Sequence, residues 1–249
     1  MQIIQITDQH VGQPGETPNG VDVREQFVRL CEVISTIAPD YVVVTGDLCA
    51  ISGEAAIYRW MKDKLDGLNI PYAVISGNHD DPALLAQSFR LEDDLHDGEL
   101  YYRRKIGEEW GLFLDTTPGM LSQKQLQWVR EELMRPGPSR QLVFMHHPPI
   151  LAGLPHMDNN YPLLKPAREA LQALFVECGK ELFVFCGHYH NEITTHCSYG
   201  TIFITPSSYL QIAPYQKEFA IEHTMPGFRY IELQPQLIRS AVHYLPTSS

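Results

Sequence analysis

ELFVFCGHYH, residues 181–190, runs from an apolar, aromatic-rich segment through a glycine into two histidines one residue apart. An apolar run this short suits a buried strand better than a helix. A histidine pair proves little alone, so its meaning depends on what else in the chain ends the same way. MQIIQITDQH (1–10) ends in Asp8 and His10, and DYVVVTGD (40–47) ends in Asp47. PYAVISGNHDD (71–81) ends in Asn78, His79, Asp80 and Asp81, and RQLVFMHHPP (140–149) reaches His146 and His147. The recurring unit is a β-branched or aromatic run that closes on a polar cluster.

Helical patterns lie between these runs. Asp22 is placed to cap a helix carrying Val23, Phe27, Leu30, Ile34 and Ile37 on one face, and Pro39 stops it. Further helices are expected over about 53–68, from a Ser122/Gln125 capping box, and over about 166–178. Alternation of this kind predicts an α/β protein with largely parallel strands. After His190 the pattern changes. Residues 192–206 and 227–245 read as strands joined by turns, which adds antiparallel pairs. We expect two mixed sheets with helices outside, in one domain over 1–249.

The 249 residues carry a formal net charge of −11, which disfavours nucleic acid and anionic membranes as partners. No apolar stretch approaches the ~18 residues of a membrane span, and residues 1–10 lack the pattern of a secretory signal. Five cysteines without a CxxC argue against a disulfide framework and favour a reducing cytoplasm. The basic cluster Arg103, Arg104 and Lys105 reads as a solvated strand edge.

Polar clusters at the carboxyl ends of strands converge in open α/β sheets. The converging set here is Asp8, His10, Asp47, Asn78, His79, His146, His188 and His190. Imidazole with carboxylate and amide oxygen suits manganese, iron, zinc or nickel, and the lack of thiolate argues against a structural zinc. These are too many donors for one ion. With His79 set aside, two ions sharing one carboxylate would have four each, at the ~3.5–4 Å spacing of two-metal hydrolysis. Two divalent ions carry about +4, and two carboxylates with a hydroxide carry about −3. Roughly one positive charge remains, which favours an anionic phosphodiester.

In order, TDQH (7–10), GDL (46–48), GNHD (77–80), HHPP (146–149) and GHYH (187–190) resemble the signature of the calcineurin-like metallophosphoesterases. Residues 114–133, 156–163 and 204–233 are similar to the bacterial class III cyclic-nucleotide phosphodiesterases and their glycerophosphodiesterase relatives. The resemblance implies a four-layer α/β/β/α sandwich with a dinuclear site of manganese, iron or zinc, and a dimer or larger homo-oligomer. It also implies Asp8, His10 and His190 on one metal, Asn78, His146 and His188 on the other, and Asp47 bridging. His79 would be the acid that protonates the leaving oxygen after attack by a hydroxide shared between the metals. The implied activity is phosphodiester hydrolysis, with a 3′,5′-cyclic nucleotide first. Glycerophosphodiesters come next, phosphomonoesters third, and a non-catalytic scaffold is the distant alternative.

Gln9 departs from the smaller or apolar residue usual in the family, so it is a candidate substrate contact or a side chain that faces away. The proline-rich stretch 148–162 follows a ligand strand and is expected to wall the pocket. His156, Asp158, Asn159 and Tyr161 are its candidate substrate contacts. Tyr189 is a candidate to stack on a base or, equally, a structural side chain. His147 is expected to be structural or to support His146. Asp81 reads as a helix cap. Asp80 reads as cap or solvent-facing in preference to orienting a histidine.

Overall fold

The computed structural model describes residues 1–246. Strands β1 (Gln2–Ile6), β2 (Tyr41–Thr45) and β3 (Tyr72–Ile75) alternate with helices α1 (Val23–Ile37) and α2 (Ala55–Asp66), and α3 (Pro82–Phe89) follows. The short β4 (Leu95–His96) and β5 (Glu99–Leu100) precede the hairpin of β6 (Tyr102–Ile106) and β7 (Glu109–Leu114). Alternation resumes with α4 (Gln123–Met134), β8 (Arg140–Met145), α5 (Pro155–Asn160), α6 (Lys165–Glu177) and β9 (Glu181–Cys186). The remainder is β10 (Ile193–Cys197), β11 (Gly200–Ile204), β12 (Gln211–Ile212), β13 (Ile221–His223), β14 (Gly227–Gln234) and β15 (Leu237–Tyr244).

Two mixed sheets form, as the sequence pattern predicts. One has the order β15-β14-β1-β2-β3, the other β10-β11-β9-β8-β7-β6. The strands that end in polar clusters are parallel within each sheet: β1, β2 and β3 in the first, β8 and β9 in the second. The late antiparallel pairs are β14 with β1 and β15, and β10 with β11.

Helix limits follow local chemistry. Asp22 accepts the Glu25 N–H (2.9 Å) at the start of α1, and Ala38, in the left-handed region, closes it before Pro39. The expected capping box on α4 forms only half. Ser122 accepts from Gln125 N–H (3.1 Å), but the Gln125 amide turns inward and exchanges two 2.9 Å hydrogen bonds with the Asp115 backbone. Burial made the inward partner available.

Helices α4 and α6 cover one face of the second sheet through Val129, Leu133, Leu171 and Phe175, packed against Val143 and Val184. On its other face the aromatic row Tyr102, Phe113, Phe144, Phe185 and Phe203 crosses five neighbouring strands in register. Successive ring centroids lie 4.8, 4.9, 5.3 and 5.0 Å apart, and the rings are stacked. This row joins the core cluster that also contains the first sheet and α1–α3. Gln5 spans the two sheets, with its amide donating to the Cys186 carbonyl (3.1 Å). The sheets therefore meet firmly, and their carboxyl edges lie side by side.

Phe144 is fully buried at the centre of the row. Phe144→Ala is expected to cost about 3–5 kcal/mol in urea unfolding, because it opens a cavity and breaks two ring contacts. A cost below about 1 kcal/mol would show that the row does not hold the sheets together.

Candidate metal centre

All five strand ends deliver their polar groups to one place. After β1, β2 and β9 the chain turns sharply, and the turning residues take left-handed backbone: Asp8 (φ 55°), His10 (45°), Asp47 (53°), His188 (67°) and His190 (49°). Such conformations in non-glycine residues cost about 1–3 kcal/mol each and persist only where surroundings over-determine them. The neighbouring glycines permit the close approach. A Cβ on Gly187 would meet the Thr7 hydroxyl and lie 2.6 Å from Asp8 Oδ2, and one on Gly77 would collide with the Asp47 carboxylate.

Hydrogen bonds divide the oxygens and nitrogens into held and free atoms. Asp8 Oδ2 accepts from the Thr7 hydroxyl (2.8 Å) and His188 N–H (2.9 Å), while buried Oδ1 has no partner. Oδ1 lies 3.4 Å from His190 Nε2 and 3.9 Å from His146 Nε2. Asp47 Oδ1 accepts His79 N–H (2.8 Å), so its Oδ2 faces both His10 Nε2 (3.6 Å) and His146 Nε2 (3.3 Å). The Asn78 carbonyl oxygen is 3.2 Å from His146 Nε2, and His10 Nε2 is 3.2 Å from His190 Nε2.

Backbone carbonyls set which ring nitrogen is free. His146 Nδ1 donates to Thr45 (2.8 Å) and His190 Nδ1 to Leu210 (2.9 Å), which leaves Nε2 of each to face the cluster. His188 is reversed: its Nε2 donates to the Tyr161 carbonyl (2.7 Å), leaving Nδ1. Such carbonyl partners orient histidines that bind metals. Donor atoms of Asp8, His10 and His190 gather within 4.8 Å of one another, as do those of Asp47, His146 and His188. His79 joins a third group with His10 and Asp47. The donor set, the orphaned Asp8 oxygen and the facing imidazole nitrogens fit a pair of cations.

Burial pushes His10 down to about 4, against the pull of Asp47, and pushes His188 down to about 3, so both rings are neutral with lone pairs available. For Asp8, burial favours the acid, but the charges of His190 and His146 prevail and hold it at about 2. Asp47 is likewise held well below the carboxylate range by His146 and His10, despite burial. Burial would lower His146, but Asp47 and Asp8 raise it to about 9.

A cavity of about 530 Å³ opens over this cluster. His79 lines it, its ring edge-to-face with His10 at 4.8 Å. From the 148–162 stretch, His156 and Tyr161 line it, but Asp158 and Asn159 do not. The stretch contains helix α5. Asp158 accepts the N–H groups of Ala152 (3.0 Å), Gly153 (2.7 Å) and Leu154 (3.0 Å), so it shapes the approach to that helix, while Asn159 is exposed away from the cavity. Tyr189 is fully buried in an apolar cluster with Met157, Ile204 and Leu210, which leaves no face for a base. Gln9 is buried and lies outside the cavity lining, and neither of its amide atoms has a hydrogen-bond partner. His147 is buried, bonded through Nδ1 to the Thr116 hydroxyl (2.9 Å), with its ring 4.1 Å from His188.

Sequence reading missed Asn19, Tyr209, Ile212 and Phe219, which also line the cavity. Asn19 lies in a left-handed turn before Gly20 and donates to the Tyr209 hydroxyl (2.6 Å). An Asn-Gly pair signals a turn, but nothing in its spacing signals a cavity.

Asp80 also departs from expectation. It is buried, and Asp81 alone caps α3 by accepting Leu84 N–H (2.9 Å). Burial, and then the charge of Asp47, push the Asp80 carboxyl up to about 6.

In metal-free protein His146 carries a proton at neutral pH. Because its value is raised from 6.5 to about 9, its contribution to stability is full below 6.5 and is lost as pH rises through about 9. A cation must displace that proton. Manganese uptake at pH 7 should release about one proton from this ring, and apparent affinity should climb with pH until about 9. Calorimetry in buffers of different ionisation enthalpy reads the proton count, and zero release would show that the ring is already neutral before the ion arrives.

The family model described as calcineurin-like phosphoesterase matches residues 1–192. The chain is similar to a probable cyclic nucleotide phosphodiesterase of Fibrobacter succinogenes, at 31% identity over 99% of this chain and 95% of the other. It is 28% identical to the 3′,5′-cyclic adenosine monophosphate phosphodiesterase CpdA of Escherichia coli K12, over 98% and 90% of the two chains. It is 30% identical to a probable glycerophosphodiester phosphodiesterase GpdQ of Arcobacter nitrofigilis, over 78% and 74%. Among solved structures, a dimetal phosphatase from Danio rerio shares the fold, with TM-score 0.64 and 15% identity over 96% and 95% of the chains. With the five motifs gathered where the edges of two sheets meet and a family model spanning most of its length, this chain belongs to the calcineurin-like phosphoesterase family.

Proposed function

We propose that this protein is a metal-dependent phosphodiesterase acting on a small diester, with a 3′,5′-cyclic nucleotide as the preferred substrate. The observation that carries the reading is the make-up of the cavity. Its floor is the donor cluster, and its walls include Met157, Leu210, Ile212 and Phe219 but no lysine or arginine. Its volume of about 530 Å³ fits a small molecule rather than a polymer. Without a basic side chain on the wall, an anionic substrate must be neutralised from the floor. A monoanionic diester with an apolar, planar portion matches this better than a dianionic monoester or a fully polar glycerol head. The relatives named for cyclic nucleotides support the choice, as does their coverage of nearly the whole chain.

Asp8, His10 and His190 would hold one ion and Asn78, His146 and His188 the other, with Asp47 shared. Manganese, iron or zinc suits these donors. Such ions supply Lewis acidity to phosphoryl oxygens and lower the pKa of water toward ~7. The chain's own contribution is to keep these groups fixed before substrate arrives. The carbonyls of Thr45, Leu210 and Tyr161 orient three rings. His79 lines the cavity, where on this reading it gives a proton to the departing alkoxide. The apolar wall holds the base and excludes water from it. The odd cysteine count supports a cytoplasmic location.

His79→Ala is expected to lower kcat by ~10²–10⁴-fold while two manganese ions stay bound. Loss of an ion in that variant would make His79 a ligand instead. Asp47→Asn should impair both ions, and unchanged turnover would contradict the shared role. On manganese-loaded protein, kcat/KM should rank cyclic AMP above 2′,3′-cyclic AMP, glycerophosphodiesters and an aryl monoester. A preference for the monoester would reject diesterase activity, and a preference for glycerophosphodiesters would reject the nucleotide.

A further inference from the structure

Asp80 lies beside the site but lines no part of the cavity, and the residue is only 8% exposed. Oδ1 accepts hydrogen bonds from Leu48 N–H (3.1 Å), Cys49 N–H (3.1 Å) and the Tyr58 hydroxyl (3.0 Å). Oδ2 accepts from Gly77 N–H (2.9 Å) and again from Leu48 N–H (3.1 Å). One side chain thus ties the turn after β2 to the turn after β3. A second tie runs the other way, where Asp47 Oδ1 accepts His79 N–H (2.8 Å). Asp47, Asn78 and His79 lie between the two ties.

The placement has a direct consequence for Asp47. The Leu48 N–H belongs to the peptide unit that follows Asp47, so its direction is set by the Asp47 backbone. That backbone is left-handed, with φ 53°, a conformation that needs external support in a residue with a Cβ. Seating the Leu48 and Cys49 amides on Asp80 locks it. Tyr58 is fully buried in α2, and its hydroxyl also accepts Asp81 N–H (2.9 Å), so the whole clasp is anchored to the helical layer.

We propose that Asp80 is a positioning residue for the metal centre: its buried carboxylate holds the strained Asp47 turn against the Asn78–His79 turn, so that one carboxylate can serve two cations. This rests on the reading of Asp47 and Asn78 as ligands. Asp80 touches neither cation nor substrate, and acts only through the two turns.

Asp80→Asn tests this. The amide keeps the shape but turns one acceptor oxygen into a donor facing N–H groups, so at least two of the five hydrogen bonds are lost. The measurements are manganese affinity per site by calorimetry, exchange coupling between the bound ions by electron paramagnetic resonance, and the metal-free Tm. Manganese affinity should fall ~10–100-fold at one site or both, the spectrum of a coupled pair should weaken, and kcat should fall more than KM rises at saturating manganese. Asp81→Asn, which retains a helix-capping side chain, should leave all of these unchanged. A lower metal-free Tm with wild-type affinity and coupling would overturn the proposal and leave Asp80 a fold residue. If Asp80→Asn does not fold, Tyr58→Phe removes one donor from the same carboxylate and should weaken manganese binding at the same sites. Wild-type affinity there would equally overturn the proposal. Failure of the wild-type protein to bind two manganese ions would reject the ligand reading itself, an outcome distinct from any result on Asp80.

Discussion

Two carboxylates and four imidazoles crowd one spot where the edges of two sheets meet, and their free lone pairs point at each other. The nitrogens of His10 and His190 are 3.2 Å apart, and the Asp47 oxygen faces two rings. Such a cluster is stable only with positive charge inside it, whether protons or metal ions. In the metal-free protein the proton on His146 serves, drawn by Asp47 and Asp8. The sharp turns, the tight glycines and the buried bonds around them all serve to hold this unfavourable gathering in place.

The backbone carries part of the cost. Among the described residues, ten non-glycine positions have left-handed backbone, and five of them are Asp8, His10, Asp47, His188 and His190. Each lies two or four residues past the end of β1, β2 or β9, where the chain turns to aim its side chain at the centre. Rigid packing beneath makes that possible. The stacked row from Tyr102 to Phe203 and the Gln5 bond to Cys186 fix the second sheet against the first, and the turns inherit that precision. The carbonyls of Thr45, Leu210 and Tyr161 then choose the free nitrogen of each ring, so backbone far apart in sequence decides the donor atoms.

The cavity above the cluster has a different character. It is walled by segments with no fixed spacing to the motifs: the turn at Asn19, helix α5 and the stretch around Tyr209 to Phe219. His156 links two of these walls, with its Nδ1 3.2 Å from the Lys217 carbonyl and its ring near both Tyr161 and Phe219. The turns that carry the donor cluster and the walls of the cavity are thus built from separate parts of the chain.

The amino-acid sequence alone marked the strands that end in polar clusters, the four long helices between them and the convergence of those clusters. Apolar runs of fixed length and their polar ends are local patterns, and strand ends of parallel sheets must lie on one edge. Tertiary structure decided what depends on distant neighbours. It buried Tyr189, turned Asp158 toward the loop backbone, and sent the Gln125 amide to Asp115 instead of back to its own helix start. It also made Asp80 a junction between two turns, although its neighbour Asp81 is a simple cap. A side chain's partners are settled by which backbone groups packing leaves unpaired nearby, and no local pattern records that.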